Sequence, residues 1–243
     1  CFRYGMLRAC SHYVKHNLTQ FFSKIAKGEA QVPVAWTTIR VRMIYKGKGA
    51  DKSSVDSFRP VSITSIVGKV MHTILKNRLE DYCREAGVID QKVQKGFARG
   101  ISGCNDHINA MHSLHRHLHK KRQSAHVLLA DLKAAFNCVP HDKLWQLLDH
   151  LKVDSTIVQY LRRVYGQAMY IKTARFSTRQ VPVQRGVLQG DTLSPLLFNI
   201  FFMVAIRKAQ EIPGAGVPTE QGSHFLKAFA DDLTIITRSK DLM

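Results

Sequence analysis

The sequence predicts an α+β fold in which helices flank a sheet organised around one hairpin. Long stretches carry apolar residues at three- and four-residue steps, the period of an amphipathic helix. Between them lie β-branched and aromatic runs of strand length. Late in the chain, two such runs, His224–Phe229 and Leu233–Thr237, are separated by Ala230-Asp231-Asp232, which predicts adjacent carboxylates at a hairpin tip. A tight hairpin ordinarily places Gly or Asn-Gly there, because the primed turns need positive φ. Asp-Asp sets like charges side by side. The pair is therefore either a solvated polar turn or a turn whose charge a divalent cation compensates.

The first thirty residues read as helix, with Phe2, Met6, Cys10, Val14, Leu18, Phe21 and Ile25 on one side until Gly28 and Pro33 interrupt. Thr38–Tyr45 alternates Ile39, Val41 and Met43 with Arg40 and Arg42, as a strand with a basic face does. Lys46-Gly47-Lys48-Gly49 follows as a basic, flexible loop. A helix is expected from about Ser65 to Glu85, its apolar line Ile66, Val70, Ile74, Leu75, Leu79 and Tyr82, with Gly87 as the stop. Asn105 or Asp106 caps the next, with Ile108, Met111, Leu114 and Leu118 inward. His112, His115 and His119 share a face of that helix, but no carboxylate or Cys lies at matching spacing, so they read as a weakly basic solvated face. Val127–Ala130 is a continuous apolar run suited to a central buried strand, and it ends at Asp131. A helix over 142–151, a strand pair at 170–176 and 180–183, and a helix capped by Ser194 and opened by Pro195 complete the pass.

Composition narrows the function classes. The chain has 243 residues, 45% hydrophobic, which is enough for a substantial core. Lys and Arg number 36 against 18 Asp and Glu, a formal charge of +18, which suits a polyanionic partner, nucleic acid first. Cys1, Cys10, Cys83, Cys104 and Cys138 show no CxxC and no pairing pattern, so a disulfide framework or zinc module is not expected. The longest apolar run, Leu193–Ile206, is short for a membrane span and contains Pro195 and Asn199. The chain starts at Cys1 without a leader, and a fragment of a longer protein is expected.

A carboxylate ending a buried strand needs a partner. Asp131 facing Asp231 and Asp232 from an adjacent strand would make a site for two Mg²⁺ ions about 4 Å apart, suited to in-line nucleotidyl transfer.

At this point the residues resemble a known family. Asp131-Leu132-Lys133-Ala134-Ala135-Phe136, Arg185 through Asn199, and Phe229-Ala230-Asp231-Asp232 closely resemble motifs A, B and C of reverse transcriptases. Arg59-Pro60-Val61-Ser62, the helix bearing Lys69 and Arg78, and Gln94-Lys95-Gly96-Phe97 resemble the finger motifs of LINE-like, non-LTR retrotransposons. The segment from Gln94 to Ile108 is most similar to the R2-type clade. Several motifs in one order and spacing are far more specific than any one of them.

The resemblance implies a right-hand polymerase fold of fingers and palm, with an antiparallel palm sheet and the thumb absent. Residues 1–125 would be an N-terminal extension and fingers, 126–154 the first palm part, 155–185 an insertion, and 186–243 the second palm part. It implies RNA-directed DNA polymerase activity on an RNA template, a DNA primer or target and dNTPs, with two Mg²⁺. In the full element this serves target-primed reverse transcription, in a nuclear or cytoplasmic ribonucleoprotein and away from membranes. Asp131, Asp231 and Asp232 would be catalytic metal ligands, with Asp131 and Asp231 principal. Phe136 falls at the steric-gate position that favours dNTPs; Gln189 and Gly190 would line the nascent base pair; Arg59 with Lys46 or Lys48 would hold the triphosphate. Lys69, Arg78, Gln94, Gly96, Arg185 and Ser194 would serve nucleic-acid binding. Asn137 departs from the Asp common after the motif A aromatic, which is not the metal position, and Tyr45 from the Pro common before the finger lysine. The alternatives are a catalytically inactive nucleic-acid-binding remnant and a group II intron-like reverse transcriptase. An RNA-dependent RNA polymerase is disfavoured by Phe136 and the finger motifs.

Overall fold

The structure is a computed structural model describing residues 4–47, 49, 51–100, 102–166, 168–172, 176–220 and 222–239. Its helices are α1 (Tyr4–Ala9), α2 (His12–Ala26), α3 (Val34–Thr37), α4 (Ile66–Glu85), α5 (Gly103–Lys121), α6 (Ala135–Cys138), α7 (His141–His150), α8 (Ser155–Tyr165) and α9 (Ser194–Gln210). Its strands are β1 (Ile39–Tyr45), β2 (Phe58–Ile63), β3 (His126–Asp131), β4 (Ala168–Ile171), β5 (Val181–Pro182), β6 (Val217–Thr219), β7 (Gly222–His224), β8 (Leu226–Phe229) and β9 (Asp232–Thr237). The chain divides into two compact units, Cys1–Arg78 with Phe136–Ser194, and Leu79–Ala135 with Pro195–Met243.

In the first unit a mixed sheet runs β2-β1-β4-β5. β1 pairs antiparallel with β2 and parallel with β4. The expected basic strand is β1: Ile39 and Val41 are buried while Arg40 and Arg42 are exposed. The expected N-terminal helix is broken at Cys10 and Ser11, because the Ser11 hydroxyl accepts from Val14 N–H at 3.4 Å and starts α2 afresh. Trp36 packs on Phe21 and Phe22, with ring centroids 6.0 and 5.9 Å apart. α8 goes beyond the elements read from the sequence. Its start is set by the Asp154 carboxylate accepting from Thr156 N–H at 2.8 Å, Val158, Leu161 and Val164 are its buried line, and it packs on α7, whose Leu144 and Leu148 are buried as well.

α4 matches its expected span, and Gly87 at φ +60 ends it. Its buried line, however, runs through Met71, Leu75 and Leu79, while Ile74 and Tyr82 are exposed. Leu75 and Leu79 of the expected line are buried as read, and the inward side also takes His72, polar but 1% exposed.

In the second unit β3, β9 and β8 form an antiparallel sheet in that order, with β6 and β7 a separate hairpin. Met203 and Ile206 of α9 pack against Val93, Leu226 and Ala228. Burying a side chain such as Leu226 contributes about 1.5–3 kcal/mol. Leu114 of α5 meets Val217 and Ile236 in a second cluster.

Three expectations are corrected here. α5 begins at Gly103 with Ser102 in the cap position, ahead of Asn105 and Asp106, and Ile108 is 52% exposed, off the buried line. β3 is an edge strand among the described residues, where it pairs with β9 alone, and Leu129 is 77% exposed. A short apolar run specifies a strand without specifying its place in the sheet. The acidic pair is also displaced by one residue, since Ala230 and Asp231 form the turn and Asp232 opens β9.

Candidate active site

The register of the second unit's sheet brings two of the expected carboxylates together. The β3–β9 ladder runs from His126 opposite Thr237 to Asp131 opposite Asp232. Directly opposed residues on an antiparallel pair share a face, with Cβ atoms about 4.5–5.5 Å apart. Asp131 and Asp232 are both exposed, and Asp231 is half-buried in the adjoining turn. Burial of a strand end therefore does not supply the argument for a partner to Asp131. A ladder closing on two like charges does, because such a pair is destabilising until a cation joins it. Among the described residues no group of three or more His, Cys, Asp or Glu is assembled for metal.

The turn carrying Asp231 is held by the segment before α5. Ala230 has φ +55, a region an alanine enters at a cost of about 1–2 kcal/mol. The Gln94 side chain spans this residue: its Nε2 donates to Ala230 O at 3.0 Å, and its Oε1 accepts from Ala230 N–H at 2.9 Å. The same Oε1 accepts from Gly96 N–H at 2.9 Å. The backbone continues the contact, with Lys95 N–H donating to Ala228 O and Ala228 N–H to Val93 O. His107 Nε2 reaches Ala228 O at 3.0 Å, and burial holds its imidazole below the ordinary value of 6.5. A Cβ on Gly96 would lie 2.3 Å from Ala230 N, so glycine is required there.

The first unit holds the residues expected around the nucleotide. Phe136 is half-buried in α6, and its carbonyl accepts from Val187 N–H at 2.7 Å. Gln189 O accepts from Ser62 N–H at 2.7 Å, and Gln189 Nε2 donates to Asn137 Oδ1 at 3.3 Å. Asn137, the departure in motif A, thus has a contact that an Asp oxygen would equally make. Gly190 has φ +101, and a Cβ there would sit 3.0 Å from Ser62 O. Ser62, Asn137 and Gln189, with Val41, Pro60 and Leu188, line a cavity of about 230 Å³ that Phe136 and Gly190 do not line. It falls below the 300–1,000 Å³ typical of ligand pockets. Arg59 on β2 is exposed opposite Ile44, and Lys46 Nζ donates to Asp56 O at 2.6 Å. Lys48 lies outside the described residues.

Beside Gln189 and Gly190 the loop is anchored by residues not singled out from the sequence. Asp191, 4% exposed, accepts from His72 Nδ1 at 2.8 Å, from Tyr165 OH at 2.9 Å and from Thr192 N–H at 2.7 Å. Tyr165 OH also contacts Ser194 Oγ at 3.0 Å. Burial alone would raise the Asp191 carboxyl. The hydrogen bond and attraction of His72, with Tyr165 and Thr192, outweigh it and hold the group below 3.8.

Of the residues expected to serve nucleic acid, Arg78 and Arg185 are exposed and Lys69 is half-buried. Gln94 and Ser194 are 0% exposed and Gly96 is buried, so these three offer no surface to a polyanion. Their polar atoms are used inside the fold.

Comparison with known proteins fits this arrangement. Residues 47–243 match the model of the reverse transcriptase (RNA-dependent DNA polymerase) family. The Pol polyprotein of a type-1 R2 retrotransposable element from Popillia japonica is 31% identical over 207 residues, 84% of this chain and 28% of that protein. The RNA-directed DNA polymerase of the mobile element jockey from Drosophila melanogaster is 25% identical over 213 residues, 87% of this chain and 22% of that protein. The chain therefore spans roughly a quarter of the length of these relatives, which belong to non-LTR retrotransposons. Among solved structures, apo telomerase from Candida tropicalis shares the fold, with a TM-score of 0.58 at 13% identity over 95% of this chain and 44% of that one. The chain belongs to the reverse transcriptase family, and its relatives are the reverse transcriptases of R2, jockey and other non-LTR retrotransposons.

Proposed function

We propose that this chain carries the catalytic carboxylates of an RNA-directed DNA polymerase, extending a primer 3′-hydroxyl with dNTPs on an RNA template. The observation that carries the reading is the β3–β9 ladder ending on Asp131 opposite Asp232, with Asp231 in the adjoining turn, in a chain of this family. The three side chains offer only hard oxygen donors, which suits Mg²⁺ completed by substrate phosphates and water. Asp131, Asp231 and Asp232 would hold two such ions, which when bound activate the attacking hydroxyl and neutralise charge on the leaving pyrophosphate. Side chains of the first unit and of α4 then have tasks in this reading. Phe136 excludes a ribose 2′-hydroxyl, Gln189 and Gly190 bear on the new base pair, and Arg59 with Lys46 binds the triphosphate. Lys69, Arg78 and Arg185 meet template and primer phosphates. In the complete retrotransposon protein this chemistry would serve target-primed reverse transcription.

The test is primer extension on poly(rA)/oligo(dT) with Mg²⁺, using the full-length protein. Asp231-dependent dNTP incorporation is expected. No incorporation would leave an inactive nucleic-acid-binding remnant as the correct account, and nucleic-acid binding alone does not separate the two, because the charge of +18 provides for it either way.

A further inference from the structure

We infer that Gln94 is a positioning residue for the acidic turn: its side-chain amide fixes Ala230 in the left-handed conformation that aims Asp231. This deepens the polymerase reading and rests on it for its catalytic consequence. The β8–β9 ladder ends at Phe229 opposite Asp232, so the turn residue Ala230 has no partner within the hairpin. Gln94 supplies one on both sides, accepting from its N–H at 2.9 Å and donating to its carbonyl at 3.0 Å, as a neighbouring strand would. The amide is itself held. Its second lone pair is taken by Gly96 N–H at 2.9 Å, and Gly96 O accepts from the buried Asn199 Nδ2 at 2.8 Å.

Shape supports the same role. Added Cβ atoms would lie 2.3 Å from Ala230 N at Gly96 and 2.7 Å from Phe229 Cε2 at Gly103. Gln94, Gly96 and Gly103 thus form a fitted cradle for Phe229 and Ala230. A two-residue turn has few determinants of its own, and a misplacement of 1 Å near reacting groups costs about 100-fold in rate. Gln94 is 0% exposed, so its polarity answers to this turn and not to a bound ligand.

Amide hydrogen exchange and single-nucleotide incorporation, measured on Gln94→Met and Gln94→Glu, test the inference. Gln94→Met fills similar volume without the bonds. Exchange at Ala230 and Asp231 should rise at least about tenfold while Leu226 and Ile236 stay as in the wild type, and kcat should fall about 10–100-fold with KM for dNTP unchanged. Gln94→Glu keeps the acceptor for Ala230 N–H, so protection at Ala230 should persist and kcat should fall between the two. If Gln94→Met does not fold, Gln94→Glu decides alone: wild-type kcat or lost Ala230 protection would overturn the role. Uniformly raised exchange across β8 and β9, or unchanged exchange at Ala230 in Gln94→Met, would also overturn it. A wild-type protein without incorporation would refute the polymerase reading, while the exchange pattern would still decide what Gln94 does.

Discussion

Replacing Asp191 by Ala should destabilise the first unit severely, because it removes the acceptor on which three donors converge. The carboxylate accepts from His72 Nδ1, Tyr165 OH and Thr192 N–H, and the side chains of His72 and Asp191 are 2% and 0% exposed. Hydrogen bonds to a charged group contribute about 1.5–3 kcal/mol each, and an orphaned buried donor costs about 1–3 kcal/mol. Tyr165 retains Ser194 as a partner at 3.0 Å, but His72 Nε2 is already buried without one, so a change of tautomer does not rescue the ring. After allowance for the desolvation that the charge no longer suffers, the net loss is about 3–5 kcal/mol, a large part of a typical total stability. Urea unfolding of the full chain measures it. The sign with pH follows from the lowered carboxyl, which lies below 3.8 when folded. A depressed acid stabilises above its unfolded pKa and loses that contribution as pH falls through the folded value. The gap between wild type and Asp191→Ala should therefore be full near neutrality and narrow as pH falls below about 4. A loss under about 1 kcal/mol at neutral pH would refute this account of the cluster.

Two further predictions concern the substrates. Phe136→Ala should raise incorporation of rNTPs relative to dNTPs by tenfold or more, read as the ratio of kcat/KM values; unchanged sugar selectivity would remove Phe136 from the gate. Binding to an RNA/DNA hybrid should weaken steeply with salt, and Arg78→Ala should flatten the log–log slope by about 1. A slope that the substitution leaves alone would take Arg78 off the phosphate path.

The features legible in the sequence were those set by local periodicity and by motif spacing. β1 announced itself by Ile39 and Val41 alternating with Arg40 and Arg42, and α4 by its long amphipathic run closed by Gly87. The neighbourhood of Asp131 and the hairpin was readable because both stand beside strand-forming runs. Long-range pairing was not: nothing local makes β1 run parallel to β4 or leaves β3 at a sheet edge. α8 carries a local signal of its own, since Asp154 precedes an apolar line at helical spacing. Gln94 shows the limit most clearly. Its place in a segment resembling a finger motif implies nucleic-acid binding, whereas its amide serves a turn 136 positions later in the chain. A side chain's partner across such a distance is a property of the fold.

The central claim is that Asp131 and Asp231 act together on nucleotide transfer, and the most direct measurement is single-turnover dNTP incorporation by Asp131→Asn and Asp231→Asn in the full-length protein. Each substitution preserves shape and removes a charge from the end of the sheet. Both should lower the rate by at least about 1,000-fold while leaving primer–template affinity within a few-fold of wild type, and the double variant should be little worse than either single one, as expected of groups that act as a unit. Incorporation at the wild-type rate in either variant would contradict the account.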